Sequence, residues 1–503
     1  MTQETTIAGE EEISRSHPAG LRTLFFTEMW ERMSYYGMRA LLVLFMVDAV
    51  ETGGLGFTDQ TATAIYGLYT AAVYLVTLPG GWIADRLLGA QKTIWYGAII
   101  IMLGHFILAI PSFNTFFIGL VFVIVGTGLL KPNISAVVGE LYEPGDPRRD
   151  AGFTIFYMGI NLGAAIGPLI CSTLGESERF GWHYGFAAAG VGMLFGLVQF
   201  RLASDRLGAA GREPSLDRTD PVDQQKMRNG WRIVFVGLLV IIACLFLFLS
   251  ETVAVNPQVM AEQTTYVIAA LATVYFITLF LFGGLTVVEK KRLVVIIILF
   301  LASAMFWAGF EQAGSSLNLF AERYTDRMIS SFEIPAGWFQ TLNPVFIIIL
   351  APVYSAMWIA LARRHLNPST PAKFALGLII LGLGFAIMIG AAELVIRGNQ
   401  VLPTWLFFTY LLHTMGELAL SPVGLSATTK LAPKRYVGQM MGIWFLGASL
   451  GNILAGLLAG EFNAEALNDM PDLYLQIVLT TAGSGLLLAV FTRPIRRLMG
   501  GVE

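Results

Sequence analysis

The chain has 503 residues, 55% of them hydrophobic and 13% charged, and a mean hydropathy of +0.66, whereas soluble chains carry roughly 25% charged residues. That balance excludes a water-soluble fold, because a globule of this size could not hide so much apolar surface. The formal net charge of −3 names no partner, since in a membrane protein the placement of charge counts for more than its sum.

Residues 1–20 are polar and acidic, with Glu10, Glu11 and Glu12 in a row. They lack the basic flank and short apolar core of a cleaved signal, so the first apolar run is expected to remain as a membrane anchor. Apolar runs then recur, each near the roughly 20 residues that cross a hydrocarbon core about 30 Å thick. They predict helices over 21–48, 61–87, 92–111, 115–140, 151–175, 181–201, 231–250, 265–288, 293–320, 336–362, 372–396, 403–430, 436–460 and 473–493. Continuous runs with packing glycines argue for an all-α membrane protein and against a barrel, whose strands would read as alternating segments of about ten residues. Cys171 and Cys244 lie far apart in apolar runs, show no metal-ligand spacing, and read as structural.

Basic residues sort the loops. With the N-terminus inside, only Arg179, Arg323, Arg327 and Arg397 fall on the outer side, and Arg32, Arg39 and Lys131 fall inside helices. The rest of the 32, from Arg15 and Arg22 to Arg497, lie on the inner side. A missed or invented helix would scramble that asymmetry, so it supports both the helix count and cytoplasmic termini. The polar stretch 203–230 separates six helices from a pair and six more. Residues 1–202 and 289–503 therefore read as two six-helix bundles of a major facilitator fold, with 231–288 as an extra pair. Lys131-Pro132 in the fourth helix and Ser421-Pro422 in the twelfth form a faint internal echo.

The densest polar signal runs from Glu28 through Glu31, Arg32, Tyr35 and Tyr36 to Arg39. These residues share one stripe of a helix turning about 100° per residue, and Glu28 and Arg39 are separated by roughly 16 Å in height. Charges at membrane depth cost several kcal/mol unless paired or wetted, so such a stripe faces a cavity and works there, or else staples two helices. Lys131, in Gly126-Thr127-Gly128-Leu129-Leu130-Lys131-Pro132-Asn133, needs an anion: a glutamate of the first helix or a ligand carboxylate. If it can exchange one for the other, proton and ligand binding become linked. The bland alternative is a lysine snorkelling to the interface.

Three motifs taken together resemble the proton-dependent oligopeptide transporters. They are Glu28-x-x-Glu31-Arg32-x-x-Tyr35-Tyr36-Gly37, the turn Gly81-Trp82-Ile83-Ala84-Asp85-Arg86-Leu87-Leu88-Gly89, and Phe156-Tyr157-Met158-Gly159-Ile160-Asn161-Leu162-Gly163. With the fourteen-helix plan, the resemblance spans nearly the whole chain. It implies alternating access and symport of protons with di- and tripeptides, by a monomer in the bacterial inner membrane that uses no cofactor and binds no nucleic acid. Two departures stand out: Met33 replaces the usual phenylalanine, and Gly67 stands where animal relatives carry a histidine tied to proton coupling, so carboxylates must carry the proton here.

The resemblance also implies a site. Glu28, Glu31, Arg32, Lys131 and Glu311 would couple the proton, with Glu311 pairing to Arg39 across the bundles to close the outer side. Arg39 and Lys131, assisted by Tyr36 and Tyr74, would take a peptide carboxylate. Glu417, Asn161 and Asn343 would hold its ammonium, and Tyr157, Trp307 and Trp444 would wall the side-chain pockets, with Ser421 sharing the face of Glu417. Asp85 and Arg86 resemble the superfamily's conformational latch. Asn343 could instead serve the kink at Pro344, Trp444 could be packing, and His413 reads as a packing residue.

No P-loop, no H-E-x-x-H pair and no loop large enough for a catalytic domain occurs, which argues against an enzyme. A channel or a non-transporting sensor would lack gradient-driven uptake. Within the transporter class the runner-up is a symporter of a small anion or drug-like molecule, for which Glu417 is ill suited.

Overall fold

The computed structural model describes residues 16–143, 146–462 and 467–501; Glu10–Glu12 and Arg15 lie outside the described residues. Among those described, fourteen helices form the protein: α1 (Ala19–Val47), α2 (Asp59–Leu88), α3 (Ala90–Leu108), α4 (Phe113–Glu140), α5 (Arg149–Gly175), α6 (Trp182–Ala203), α7 (Pro221–Leu249), α8 (Pro257–Phe282), α9 (Val287–Tyr324), α10 (Ala336–Arg363), α11 (Thr370–Ile396), α12 (Thr404–Leu431), α13 (Val437–Ala459) and α14 (Met470–Leu498). Twelve are long and apolar enough to cross a membrane on composition alone. The first is not, because it carries Glu28, Glu31, Arg32 and Arg39.

Three helices start well before their apolar runs. α7 begins at Pro221 rather than 231, because Asp220 accepts the Val222 N–H and proline occupies the first turn. Asn256 starts α8 in the same way, ahead of Pro257. α9 opens at Val287 on a capping box formed by Thr286 and Glu289. Hydropathy marks where the membrane begins, whereas side-chain caps and a first-turn proline mark where the helix begins.

α9 is broken. Its α-helical turns stop at Phe310, a 3₁₀ turn spans Glu311–Gly314, and the helix resumes at Ser316. The backbone groups freed at the break are met locally: Gln312 donates to the Ala308 and Ala455 carbonyls, and Ser315 Oγ donates to the Glu311 carbonyl. Discontinuous membrane helices place irregular backbone where it lines a cavity.

Two six-helix bundles face each other along two seams. α2, second helix of the first bundle, packs on α13, fifth of the second; α5, fifth of the first, packs on α10, second of the second. This exchange is the pseudo-symmetry that the sequence only hinted at. Small residues set the close approaches. Gly159, Gly163 and Gly167 of α5 lie against Phe25, Met29 and Met33 of α1, and a Cβ at Gly163 would collide with the Met29 carbonyl. At the other seam a Cβ on Gly67 would stand 3.0 Å from Gly456 Cα, so the position where relatives carry a histidine has no room for a side chain.

The extra helices lie outside the bundles. α8 rests on α2 and α13, and of α7 only Gly230 is buried among its described residues. The connection before α7 is strapped to the first bundle: the Gln91 side chain donates to the Ala210 carbonyl at 2.7 Å, and the Gly211 N–H donates to Glu140 at 2.6 Å.

Candidate functional site

Halfway along the bundles a cavity of about 160 Å³ opens between them. The first bundle contributes Tyr36 and Arg39 from α1, Tyr74 from α2, and Tyr157 and Asn161 from α5. The second contributes Trp307 and Glu311 from α9, Asn343 from α10 and Glu417 from α12. Tyr157 keeps 42% of its surface exposed, so the cavity is open to solvent rather than sealed.

Arg39 and Glu311 join the two bundles at 2.8 Å, with their side chains 9% and 3% exposed. The Arg39 guanidinium also lies over the rings of Tyr36 and Tyr66, at 5.4 and 5.8 Å from their centroids. The break in α9 is what turns Glu311 into the cavity. Removing one partner of a buried pair leaves the other charge uncompensated, which costs about 3–5 kcal/mol, so this pair must either stay together or receive substitutes.

Glu417 stands, like Glu311, on the second bundle's side of the cavity. Asn343 Nδ2 donates to its carboxylate at 2.9 Å and to Thr414 Oγ1 at 3.1 Å. Asn343 is therefore a partner of Glu417 rather than a patch for carbonyls freed by Pro344. Asn161 donates to the Tyr157 carbonyl one turn back, at 2.9 Å.

The rest of the α1 stripe lies toward the start of that helix. Arg32 Nε is 2.8 Å from Glu28 and 2.6 Å from Glu31, so one guanidinium serves two carboxylates. The sequence left Lys131 with either a glutamate of α1 or a ligand carboxylate as its anion; among the described residues it forms no ion pair with Glu28 or Glu31. Its ammonium sits 4.1 Å from the centroid of the Tyr74 ring, a cation–π contact, and it does not snorkel. At the adjacent Pro132 kink, Asn133 ties α4 together and to α2 by donating to the Leu129 and Gly80 carbonyls.

Three residues expected to bind substrate, Lys131, Ser421 and Trp444, are not among the lining residues, and Asp85 and Arg86, expected as a latch, lie elsewhere. Trp444 packs at 6.3 Å from Phe374 and against Gly424, the packing role that the sequence left open. Ser421, one turn past Glu417, is not among the lining residues. Asp85 and Arg86 are exposed at the end of α2, where the Asp85 carbonyl accepts the backbone N–H and the hydroxyl of Ser215, each at 2.7 Å. Other lining residues were missed. Gln340 and Tyr410 reach the cavity, and so does His413, although its ring also packs 4.6 Å from Phe385. Gln340 Nε2 and Trp307 Nε1 are buried donors without a partner among the described residues, and a bound solute would supply one. Gln340 could have been found only by knowing that the 3₁₀ turn Ala336–Thr341 aims it inward.

Bonds between the bundles gather from the cavity toward the end opposite the start of α1. Asn318 donates to the Ala40 carbonyl at 2.9 Å, Thr341 to the Ala165 carbonyl at 3.1 Å, and Trp338 Nε1 to Thr173 at 3.0 Å. Asp59 meets Arg323 at 2.6 Å. Glu176, just beyond α5, accepts the N–H groups of Ala336 at 2.5 Å and Gly337 at 3.0 Å, with Arg327 at 4.0 Å. The far end is thus held by a cluster of bonds between the bundles.

The POT family profile matches residues 91–472. A peptide transporter of Yersinia enterocolitica is 45% identical, covering 97% of this chain and 96% of its own. A di-/tripeptide transporter of Lactococcus lactis is 38% identical, covering 97% of each chain. Among solved structures, a peptide transporter in complex with sulfate superposes with a TM-score of 0.88 at 40% identity over 97% of each chain. A POT family transporter in complex with a thioalcohol-conjugated peptide gives a TM-score of 0.85 at 34% identity, covering 96% of this chain and 98% of its own.

Proposed function

Because the chain belongs to the POT family, we propose that it is a proton-coupled symporter importing di- and tripeptides by alternating access. It is a transporter and not an enzyme, and the proton gradient drives it in place of any cofactor. The carrying observation is a single cavity with fixed charges of both signs: Arg39 of the first bundle paired with Glu311 of the second, and Glu417 with Asn343 on the second. A zwitterionic peptide needs that pattern, since its termini differ in sign and lie a few residue rises of about 3.5 Å apart. A bare anion would meet Glu417 unfavourably.

The coupling follows from charge. Four carboxylates (Glu28, Glu31, Glu311 and Glu417) face three cations (Arg32, Arg39 and Lys131) in and beside the cavity. The site is one positive charge short of neutral, and a proton or a peptide ammonium completes it. With the cavity empty, Glu311 holds Arg39 and the far side stays shut. A proton on Glu311 together with a peptide carboxylate on Arg39 replaces that pair without leaving a bare charge, so the two ligands favour each other's binding. Lys131, resting on Tyr74, is the second cation within reach of the carboxylate. Tyr36, Tyr157, Asn161 and Trp307 shape the space between the charged ends. Asp85 and Arg86 act in the conformational change at the end of α2 rather than in binding.

The loops rich in lysine and arginine support a reading with both termini in the cytoplasm of a bacterium and the chain in the inner membrane. The protein works as a monomer, and its partners are peptides, protons and the bilayer. The test is uptake of labelled dialanine into proteoliposomes holding the purified protein. Accumulation that requires an inward proton gradient and is competed by di- and tripeptides, but not by single amino acids, supports the reading. Uptake competed by small anions and indifferent to peptides would replace it.

A further inference from the structure

The cytoplasmic end of the first bundle carries a pocket separate from the transport cavity. It has a volume of about 580 Å³ and wraps the start of α1. Arg22, Phe25 and Phe26 of α1 line it with His17 just before that helix, Ile155 of α5, and Arg206 of the 3₁₀ turn Ser204–Leu207 that follows α6.

Among the described residues, neither half of the pocket has an occupant. At its polar end, α1 starts after Pro18 with no side-chain cap and no acid in its first turn, so its leading N–H groups carry the partial positive charge of a helix start. Two guanidinium groups share that end, and neither Arg22 nor Arg206 forms an ion pair among the described residues. Away from it the lining turns apolar. α1 lies beneath α5 and α6, with Gly159 seated on Phe25 and Gly196 on Trp30. Phe26 remains 37% exposed, and Leu202, on the last turn of α6, is 81% exposed. A pocket whose two exposed arginines form no ion pair among the described residues, and which opens onto apolar side chains, matches a molecule with a negative head and a hydrocarbon tail.

We propose that this pocket binds an anionic phospholipid of the cytoplasmic leaflet, its phosphate between Arg22, Arg206 and the first turn of α1, and its acyl chain along Phe26 and Ile155. The bound lipid ties the root of α1 to α5 and α6, and α1 is the helix that bears the coupling stripe. Placing the lipid in that leaflet rests on the orientation given above. Binding itself is tested in detergent, where sidedness and transport play no part, so the two readings fail separately.

The experiment is native mass spectrometry of the delipidated full chain, titrated with phosphatidylglycerol, with phosphatidylcholine of the same acyl chains, and with glycerol phosphate. Phosphatidylglycerol should be retained in preference to phosphatidylcholine. Arg22→Gln with Arg206→Gln should weaken it by about thirtyfold, from the attraction of two arginines to an anionic headgroup, and leave phosphatidylcholine unchanged. Arg22→Lys with Arg206→Lys should restore most of the loss, and Arg363→Gln with Arg364→Gln, at the same end of the other bundle, should have no effect. Equal retention of the two lipids, or an unchanged affinity in the Gln variant, overturns the proposal. Competition by glycerol phosphate as strong as that by the lipid also overturns it, since the site would then take soluble phosphates.

Discussion

At the level of single residues, the proposed coupling is a substitution of charge partners. Glu311→Gln removes the carboxylate that a proton would have to neutralise, so proton-driven accumulation of dialanine should vanish while peptide counterflow persists. Driven uptake that survives would remove Glu311 from the coupling. Glu417→Gln keeps the shape and the bond from Asn343 but loses the charge offered to a peptide ammonium. A hydrogen bond to a charged group contributes about 1.5–3 kcal/mol, so the KM for dialanine should rise about tenfold to a hundredfold, and unchanged affinity would place the ammonium elsewhere. These residues were legible because a glutamate or arginine inside an apolar run has few innocent explanations. Gln340 was not, since an uncharged side chain at a helix start reads the same whether it faces lipid, a neighbour or a cavity. Trp444 shows the converse limit: an aromatic residue on a helix of this region fits packing and binding equally, and only its contact with Phe374 decides.

At the level of elements, glycines and breaks do the positioning. Gly163→Val would drive a side chain into the Met29 carbonyl at the α1–α5 seam. Overpacking of this kind costs about 1–3 kcal/mol, so the detergent-solubilised variant should melt below the parent, whereas Gly483→Ala, in open space on α14, should melt unchanged. The far-end bolt has a pH dependence of its own. Burial pushes the Glu176 carboxyl up from 4.5 to about 7; the Gly337 and Ala336 N–H groups and Arg327 pull it down and Glu322 pushes it further up, with Glu333 beyond on Arg327. An acid whose pKa is raised by closure contributes to closure fully below its ordinary value, and that contribution is lost as pH rises through about 7. Spin-label distances across the far end should therefore show more closed molecules at pH 5 than at pH 8. Glu176→Gln should flatten this trend, and a slope that persists in the variant would assign it to another group.

At the level of the whole molecule, function requires that the bolted end open. Cysteines introduced in place of Asp59 and Arg323, which meet across the bundles, and bridged by a bifunctional thiol reagent with a reducible spacer, should stop dialanine uptake, and a reductant should restore it. Transport through an intact cross-link would mean that this seam does not part. The seams α2–α13 and α5–α10 are where the motion must be absorbed, and the glycine contact of Gly67 with Gly456 lies on one of them.

Much of this architecture is determined by local chemistry and so is present in the sequence by itself. A helix must satisfy its own backbone in hydrocarbon, so apolar run length alone marks twelve of the fourteen helices as spans. The charged stripe of α1 follows from helical period alone. Tertiary structure decided what depends on residues far apart in the chain. It paired Arg39 with Glu311 and Asn343 with Glu417, laid Lys131 on the Tyr74 ring, and gathered the bonds between the bundles toward one end. The reason is that a buried charge needs a partner without specifying which. Several lay within chemical reach in the sequence, and only the packing of two bundles, with a helix broken at Glu311, selected among them.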